Sequence, residues 1–248
     1  MKQFISNLNL SRKFALIGVL ALAMVALPAW LVIKNAFEEL SVAHAEAAGI
    51  APAGDMLTLI KFTQQHRGQS AMVLAGNASI QAARQAKQAE VELAMAKAQQ
   101  SVAGLADSRL NERLAEIQRG WRAVADAIGG NSIAGPQSFA QHTALITKQL
   151  ALLDDIVDSS TLAFDSDAAT HHMISSVLGY LPHLNESLGQ TRALGASVLT
   201  RGKATPEERM RITTIGATAQ QHLDSSREAF EKAMDADPEW RRVLDGPV

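Results

Sequence analysis

The chain has 248 residues, 23 Lys and Arg against 25 Asp and Glu, a formal net charge of −2, a single Tyr and no Cys. The charge balance gives no global basic field for nucleic acid, and no aromatic residues interleave with a basic run. The missing cysteine excludes disulfides, thiolate catalysis and Cys-based zinc sites, while abundant Ala, Gln and Leu favour helices over strands.

In chain order, Phe14 to Ile33 is an uncharged run without a strongly polar side chain. At 1.5 Å per residue it spans the roughly 30 Å hydrocarbon core of a bilayer. Lys2, Arg12 and Lys13 precede it; Lys34, Glu38 and Glu39 follow. This bias puts residues 1–13 in the cytoplasm, the anchor at 14–33 and residues 34–248 outside the inner membrane. Trp30 sits where an interfacial aromatic belongs, and Pro28 is tolerated inside a membrane helix. A signal peptide cleaved at Ala43-His44-Ala45 is the rival reading. The run is too long for a signal h-region, and that site lies too far downstream.

Beyond the anchor, Lys34 to Ala48 continues as helix, with Gly49 and Pro52 as expected interruptions. Met56, Ile60, Thr63, Arg67, Ser70 and Leu74 share one helical face, and Gly76-Asn77 ends the helix. Ala78 to Val102 forms helix readily but offers little to bury. Asp107-Ser108 is a fresh N-cap, followed by the stripe Leu110, Leu114, Ile117, Trp121, Val124 and Ile128. Gly129 to Pro136 is a loop. Phe139, Ile146, Leu150, Leu153 and Val157 make the next stripe. After a turn at Phe164–Asp167, the stripe Met173, Val177, Leu181, Leu184 and Leu188 continues through Pro182, a predicted bend. Gly202 stops that helix. Thr205-Pro206-Glu207-Glu208 is a capping box that opens the last one, which carries Met210, Leu223, Phe230 and Met234 as far as Asp237-Pro238. The predicted fold is all-α, an N-terminal transmembrane helix followed by an elongated up-down helical bundle.

Two segments echo each other: Gln65-His66-Arg67 and Gln190-Thr191-Arg192, each followed at the same spacing by Val-Leu. Arg67 lies on the inward face above, and Arg192 follows the stripe residue Leu188 by one turn. Buried arginines stay charged and need a counter-charge, commonly a carboxylate one turn away. Met56 to Ala89 and Ser187 to Pro206 contain no Asp or Glu. Two partnerless guanidinium forks predict a site for a small anion such as nitrate, nitrite or a carboxylate. The candidate set is Arg67, Arg192, His66, Gln65, Ser70 and Gln190. The structural alternatives are a cross-bundle partner (Asp154, Asp155 or Asp158) or snorkelling to water. If the last helix returns to the membrane, the helix carrying Arg192 runs parallel to the first.

No metal site is read: His171 and His172 are adjacent and point to different faces, whereas a helical metal pair wants i, i+4 spacing. No catalytic constellation stands out, so no enzyme and no cofactor are expected. The Met residues fall on stripes and read as core.

Gly49-Ile50-Ala51-Pro52 with Gln65 to Ser70, and Ser159 to Asp165 with Leu181 to Ala193, resemble the periplasmic sensor region of bacterial methyl-accepting chemotaxis proteins. That region also occurs on membrane sensor kinases and diguanylate cyclases. The opening Leu10-Ser11-Arg12-Lys13-Phe14 fits as well. The Arg-Gly motif at Arg67-Gly68 is similar to the nitrate- and nitrite-sensing (NIT) domain, in which arginines of the first and a late helix hold the anion. That resemblance implies the role for Arg67 and Arg192, although His66 stands where an acidic residue is usual. It further implies a homodimeric membrane receptor whose second membrane helix, HAMP linker and signalling domain are not found in this chain. The expected function is therefore a sensory input module for transmembrane signalling. A ligand-free stalk is the competing reading.

Overall fold

The computed structural model describes residues 9–244. Lys2, Val248 and most of the segment 1–13 lie outside them. The chain forms two compact units, residues 1–44 and 45–248.

In the first unit, helix α1 (Leu10–Leu74) begins. Its large apolar side chains there are exposed, including Phe14, Leu22, Val25 and Trp30. Among the described residues this helix is long and apolar enough, by length and composition, to cross a membrane. Pro28 does not interrupt it.

In the second unit, α1 passes through Gly49 and Pro52 without the expected break. Gly49 is there for close approach: a Cβ on it would lie 2.2 Å from Ser160 Oγ. Glycine in this helix is thus a packing requirement rather than a stop signal. The helix ends at Leu74, and Gly76 takes the left-handed conformation at φ 96°. A short 3₁₀ turn (Ala78–Ile80) leads into α2 (Gln81–Ala103). Next come α3 (Ser108–Gly129), capped by Asp107, and α4 (Gly135–Ser159), with proline in its first turn. A 3₁₀ turn (Leu162–Phe164) precedes α5 (Ala168–Ile174), whose N-cap Asp167 accepts from Thr170 N. A π-helical turn (Ser175–Tyr180) joins α5 to α6 (Leu181–Arg201). Then α7 (Pro206–Ala236) opens with the predicted capping box on Thr205 and Glu208, and α8 (Pro238–Leu244) follows Asp237. No strand occurs among the described residues, and the second unit is a helical bundle.

The α3 stripe is buried in full; Leu110, Leu114, Ile117 and Trp121 share a core cluster with Met56 and Leu59 of α1, Val91 and Met95 of α2, and Ile146 and Leu153 of α4, while Val124 and Ile128 form a smaller one with Ile133. Each such side chain contributes about 1.5–3 kcal/mol when removed from water. Helix α2 departs from the reading. It was expected to bury little, yet Arg84, Val91, Ala94, Met95, Ala98 and Val102 all face inward. Small alanines let it approach its neighbours closely, so a weakly apolar composition hid a buried face.

Helix α6 departs too. Val177 and Leu188, assigned to its apolar stripe, are exposed. The inward residues are Ser176, Pro182, Glu186 and Ser187. The π turn is the cause: Leu181 N–H reaches back five residues to Ser176 O. One extra residue in a turn advances everything after it by about 100° relative to an α-helical reading. Contacts between α1 and α6 climb together, Gln64 meeting Asn185 and Arg67 meeting Glu186, so the two segments run parallel as expected. Those with α4 descend, Gly49 facing Ser160, Thr63 bonding Gln149 and His66 bonding His142.

Candidate functional site

Above the apolar core, α1, α4 and α6 enclose a polar seam. Its first part is an ion pair. Arg67 Nη1 donates to Glu186 Oε1 at 2.6 Å, and Nη2 donates to Oε2 at 3.0 Å. The two residues are 4% and 5% exposed, so the pair is cut off from solvent. Glu186 is saturated: Oε1 also accepts from Gln190 Nε2 at 2.8 Å and Oε2 from Gln64 Nε2 at 3.0 Å. Thr143 Oγ1 accepts a third bond from Arg67 Nη1 at 3.0 Å. The guanidinium lies 5.1 Å from the centre of the Phe139 ring, a cation–π contact. Gly189 leaves room for it; a Cβ there would stand 3.1 Å from Arg67 Nη2.

This geometry corrects the picture of a partnerless Arg67. Its counter-charge is Glu186, 119 residues away. None of the three aspartates considered as cross-bundle partners takes that role. Asp155 pairs with Arg113, and Asp154 Oδ2 lies 3.5 Å from His183 Nε2. Glu186 reaches the seam because of the π turn, a feature that helical periodicity does not reveal.

The second part is a histidine relay. His142 Nδ1–H donates to Ser138 O at 2.8 Å, which leaves Nε2 as an acceptor. His66 Nδ1–H donates to it at 2.9 Å, which leaves His66 Nε2 to accept from Arg84 Nη1 at 3.2 Å. Every bond has one donor and one acceptor only if both rings are neutral. Burial, helped by the charges of His142 and Arg84, lowers the His66 pKa to about 3. Burial, with a contribution from the Arg67 charge, lowers that of His142 to about 4, against an opposing bond to Ser138. Trp121 closes the apolar side, its ring edge-on to His66 at 4.8 Å between centroids.

The predicted site residues divide as follows. Arg67, His66 and Ser70 are buried together at the end of α1, with Ser70 Oγ 3.4 Å from His66 Nδ1. Half-buried Gln190 joins them through Glu186. Gln65 and Arg192 are exposed, the latter because the shifted α6 register turns Leu188 and the residue one turn beyond it outward. Among the described residues His171 and His172 pack on each other, and no cluster of three or more His, Asp or Glu is placed to hold a metal. The sequence reading missed Thr143, Glu186, His142 and Arg84. The stretch without carboxylates from Met56 to Ala89 contains Arg84 as well as Arg67, which was the available signal.

A profile of the nitrate and nitrite sensing family, NIT, matches residues 58–247. Among solved structures, the NasR transcription antiterminator is similar in fold, with a TM-score of 0.68 at 21% identity. The match covers 82% of this chain and 56% of that one, so this chain spans a little over half of its length. No curated protein matches.

Proposed function

The chain belongs to the nitrate and nitrite sensing family, and from that premise we propose that it is a membrane-anchored input module. It senses nitrate, nitrite or a similarly small planar anion through Arg67. The observation that carries this reading is the buried Arg67–Glu186 fork between the first and a late helix. A carboxylate is a planar oxyanion held by two parallel N–H bonds, the geometry that nitrate also offers. Glu186 thus holds the place of a ligand.

An incoming anion competes with Glu186 for the fork. When it wins, the tie between α1 and α6 is released and α6 moves relative to α1. Such a ligand has the differential affinity that a population shift requires, because it favours the arrangement in which Glu186 has withdrawn. Arg192, six residues beyond Glu186 on the same helix, faces solvent in the present arrangement and enters the site in the other. Half-buried Gln190 joins its polar lining through Glu186, His66 and Ser70 lie buried beside it at the end of α1, and exposed Gln65 stays outside it.

Arg12 and Lys13 before the apolar run, with Glu38 and Glu39 after it, support a cytoplasmic N-terminus and a periplasmic bundle. A helix shift in the bundle then reaches the membrane along α1. The resemblance to chemotaxis transducers adds a homodimer as the working unit, which light scattering in detergent tests directly. The module binds and relays; it performs no chemistry.

The test is a thermal-shift screen of the full chain in detergent against nitrate, nitrite, formate, acetate and chloride. A ligand at 100 times its Kd adds about 2.7 kcal/mol. The reading predicts a selective shift that is reduced in Arg67→Ala and in Arg192→Ala. Because exposed Arg192 makes no hydrogen bond or ion pair among the described residues, its loss weakens binding with little loss of stability. A flat screen on folded protein contradicts the reading and favours a ligand-free stalk.

A further inference from the structure

Arg84 is a second buried guanidinium, and no carboxylate among the described residues pairs with it. It is 2% exposed. Its bonds go to two neutral acceptors, His66 Nε2 at 3.2 Å and Gln88 Oε1 at 3.0 Å. Its Nε is buried without a partner. Among the described residues it has no ion pair. Its pKa is lowered, by burial, so its surroundings oppose the charge. A buried charge is ordinarily paired, because desolvating an ion alone is costly. A guanidinium cannot escape that cost by releasing its proton.

The neighbouring carboxylates are otherwise engaged. Glu90 pairs with Lys87 at 2.6 Å, and Glu92 accepts from Gln88 Nε2 at 3.1 Å. Gln88 therefore bridges Arg84 and Glu92, accepting from the first and donating to the second. Gln88 and Trp121, which pack on Arg84 and His66 respectively, also line a cleft of about 290 Å³ between α2 and α3. Arg122, Glu92 and Asp126 lie on its walls. Gln88 thus touches both Arg84 and the cleft, and Trp121 both His66 and the cleft.

We propose that Arg84 is a second binding site for a small planar monovalent oxyanion, separate from the Arg67–Glu186 fork and reached past Gln88. The anion takes the free Nε–H together with an Nη–H, the bidentate geometry of a guanidinium with a planar oxyanion. His66 and His142 stay neutral and hold the guanidinium in place. The monovalent limit follows from the charges: Arg84 supplies one positive charge, and the walls, Glu92 and Asp126 against Arg122, add no net positive charge. The inference does not rest on the proposed Arg67 site, since either site binds or fails alone.

Isothermal titration of the full chain in detergent with sodium nitrate, at constant ionic strength, separates the two. Wild type is expected to bind two anions, Arg84→Gln one and Arg67→Gln one. Arg84→Lys keeps the charge but not the fork, and is expected to lose affinity at that site at least tenfold while the other is unchanged. It serves where Arg84→Gln fails a circular-dichroism check for folding. If Arg84→Gln and Arg84→Lys both bind nitrate with wild-type stoichiometry and affinity, the Arg84 site is overturned and the Arg67 reading stands. If Arg67→Gln alone leaves binding untouched, the Arg67 reading fails and the Arg84 site stands.

Discussion

Arg67 and Arg84 are both buried, and both act on the His66–His142 relay, the first through its charge and the second through a hydrogen bond, yet they are satisfied in opposite ways. Arg67 has a carboxylate, a hydroxyl and an aromatic face. Arg84 has an imidazole nitrogen, an amide oxygen and an unbonded Nε. The difference teaches that burial alone does not mark a ligand site. A fully paired arginine is a tie that a ligand must break, whereas an unpaired one is a vacancy in charge that a ligand can fill. The first suits the proposed switch, in which exchanging Glu186 for an anion releases a helix. The second suits occupancy without rearrangement.

The comparison predicts unequal costs of removal. Arg67→Ala strands Glu186 in the interior and is expected to cost about 3–5 kcal/mol in denaturant unfolding of the full chain in nitrate-free buffer. Adding Glu186→Gln to Arg67→Ala returns much of that loss. Arg84→Met removes an unpaired charge at similar volume and is expected to change stability by within about 1 kcal/mol, the lost bond to His66 offsetting the relieved desolvation. Equal losses for the two variants would erase the distinction.

Next in size is the pH response of the relay. Both histidines have folded pKa values depressed below 6.5, to about 3 and about 4. The unfolded chain therefore binds protons that the folded chain refuses, and stability rises with pH across this window. Their contribution is intact above pH 6.5 and declines as pH falls toward 4 and then 3. At pH 5 the decline amounts to about 2 kcal/mol per histidine. His142→Gln is expected to flatten part of that slope, which unfolding at pH 5 and pH 7 measures. A smaller effect belongs to Thr143→Val, which keeps shape while deleting one bond to Arg67. A loss of about 1 kcal/mol is expected in the same unfolding assay.

Much of the fold was legible because it is written locally. The α3 stripe, the Asp107 and Thr205 caps and the stop at Gly76 are signals confined to a few residues. Arg67 was legible as an inward residue for the same reason. Glu186 was not: its place depends on a π turn that no side-chain pattern announces, and that turn also swung Arg192 outward. His142 stands in the chain as one scattered histidine and becomes a partner only when α4 folds against α1. Arg84 was hidden differently. Its lack of carboxylates was visible, but α2 reads as an exposed helix because alanine packs closely while contributing little apolar signal.

The most direct test of the central claim, that Glu186 holds the place of an anion at Arg67, is the nitrate affinity of Glu186→Gln against wild type in the full chain. Glutamine keeps the shape and leaves Arg67 without its internal carboxylate. The account predicts nitrate binding at least tenfold tighter, with the gain abolished by Arg67→Gln. Unchanged or weaker binding in a folded Glu186→Gln protein would contradict it.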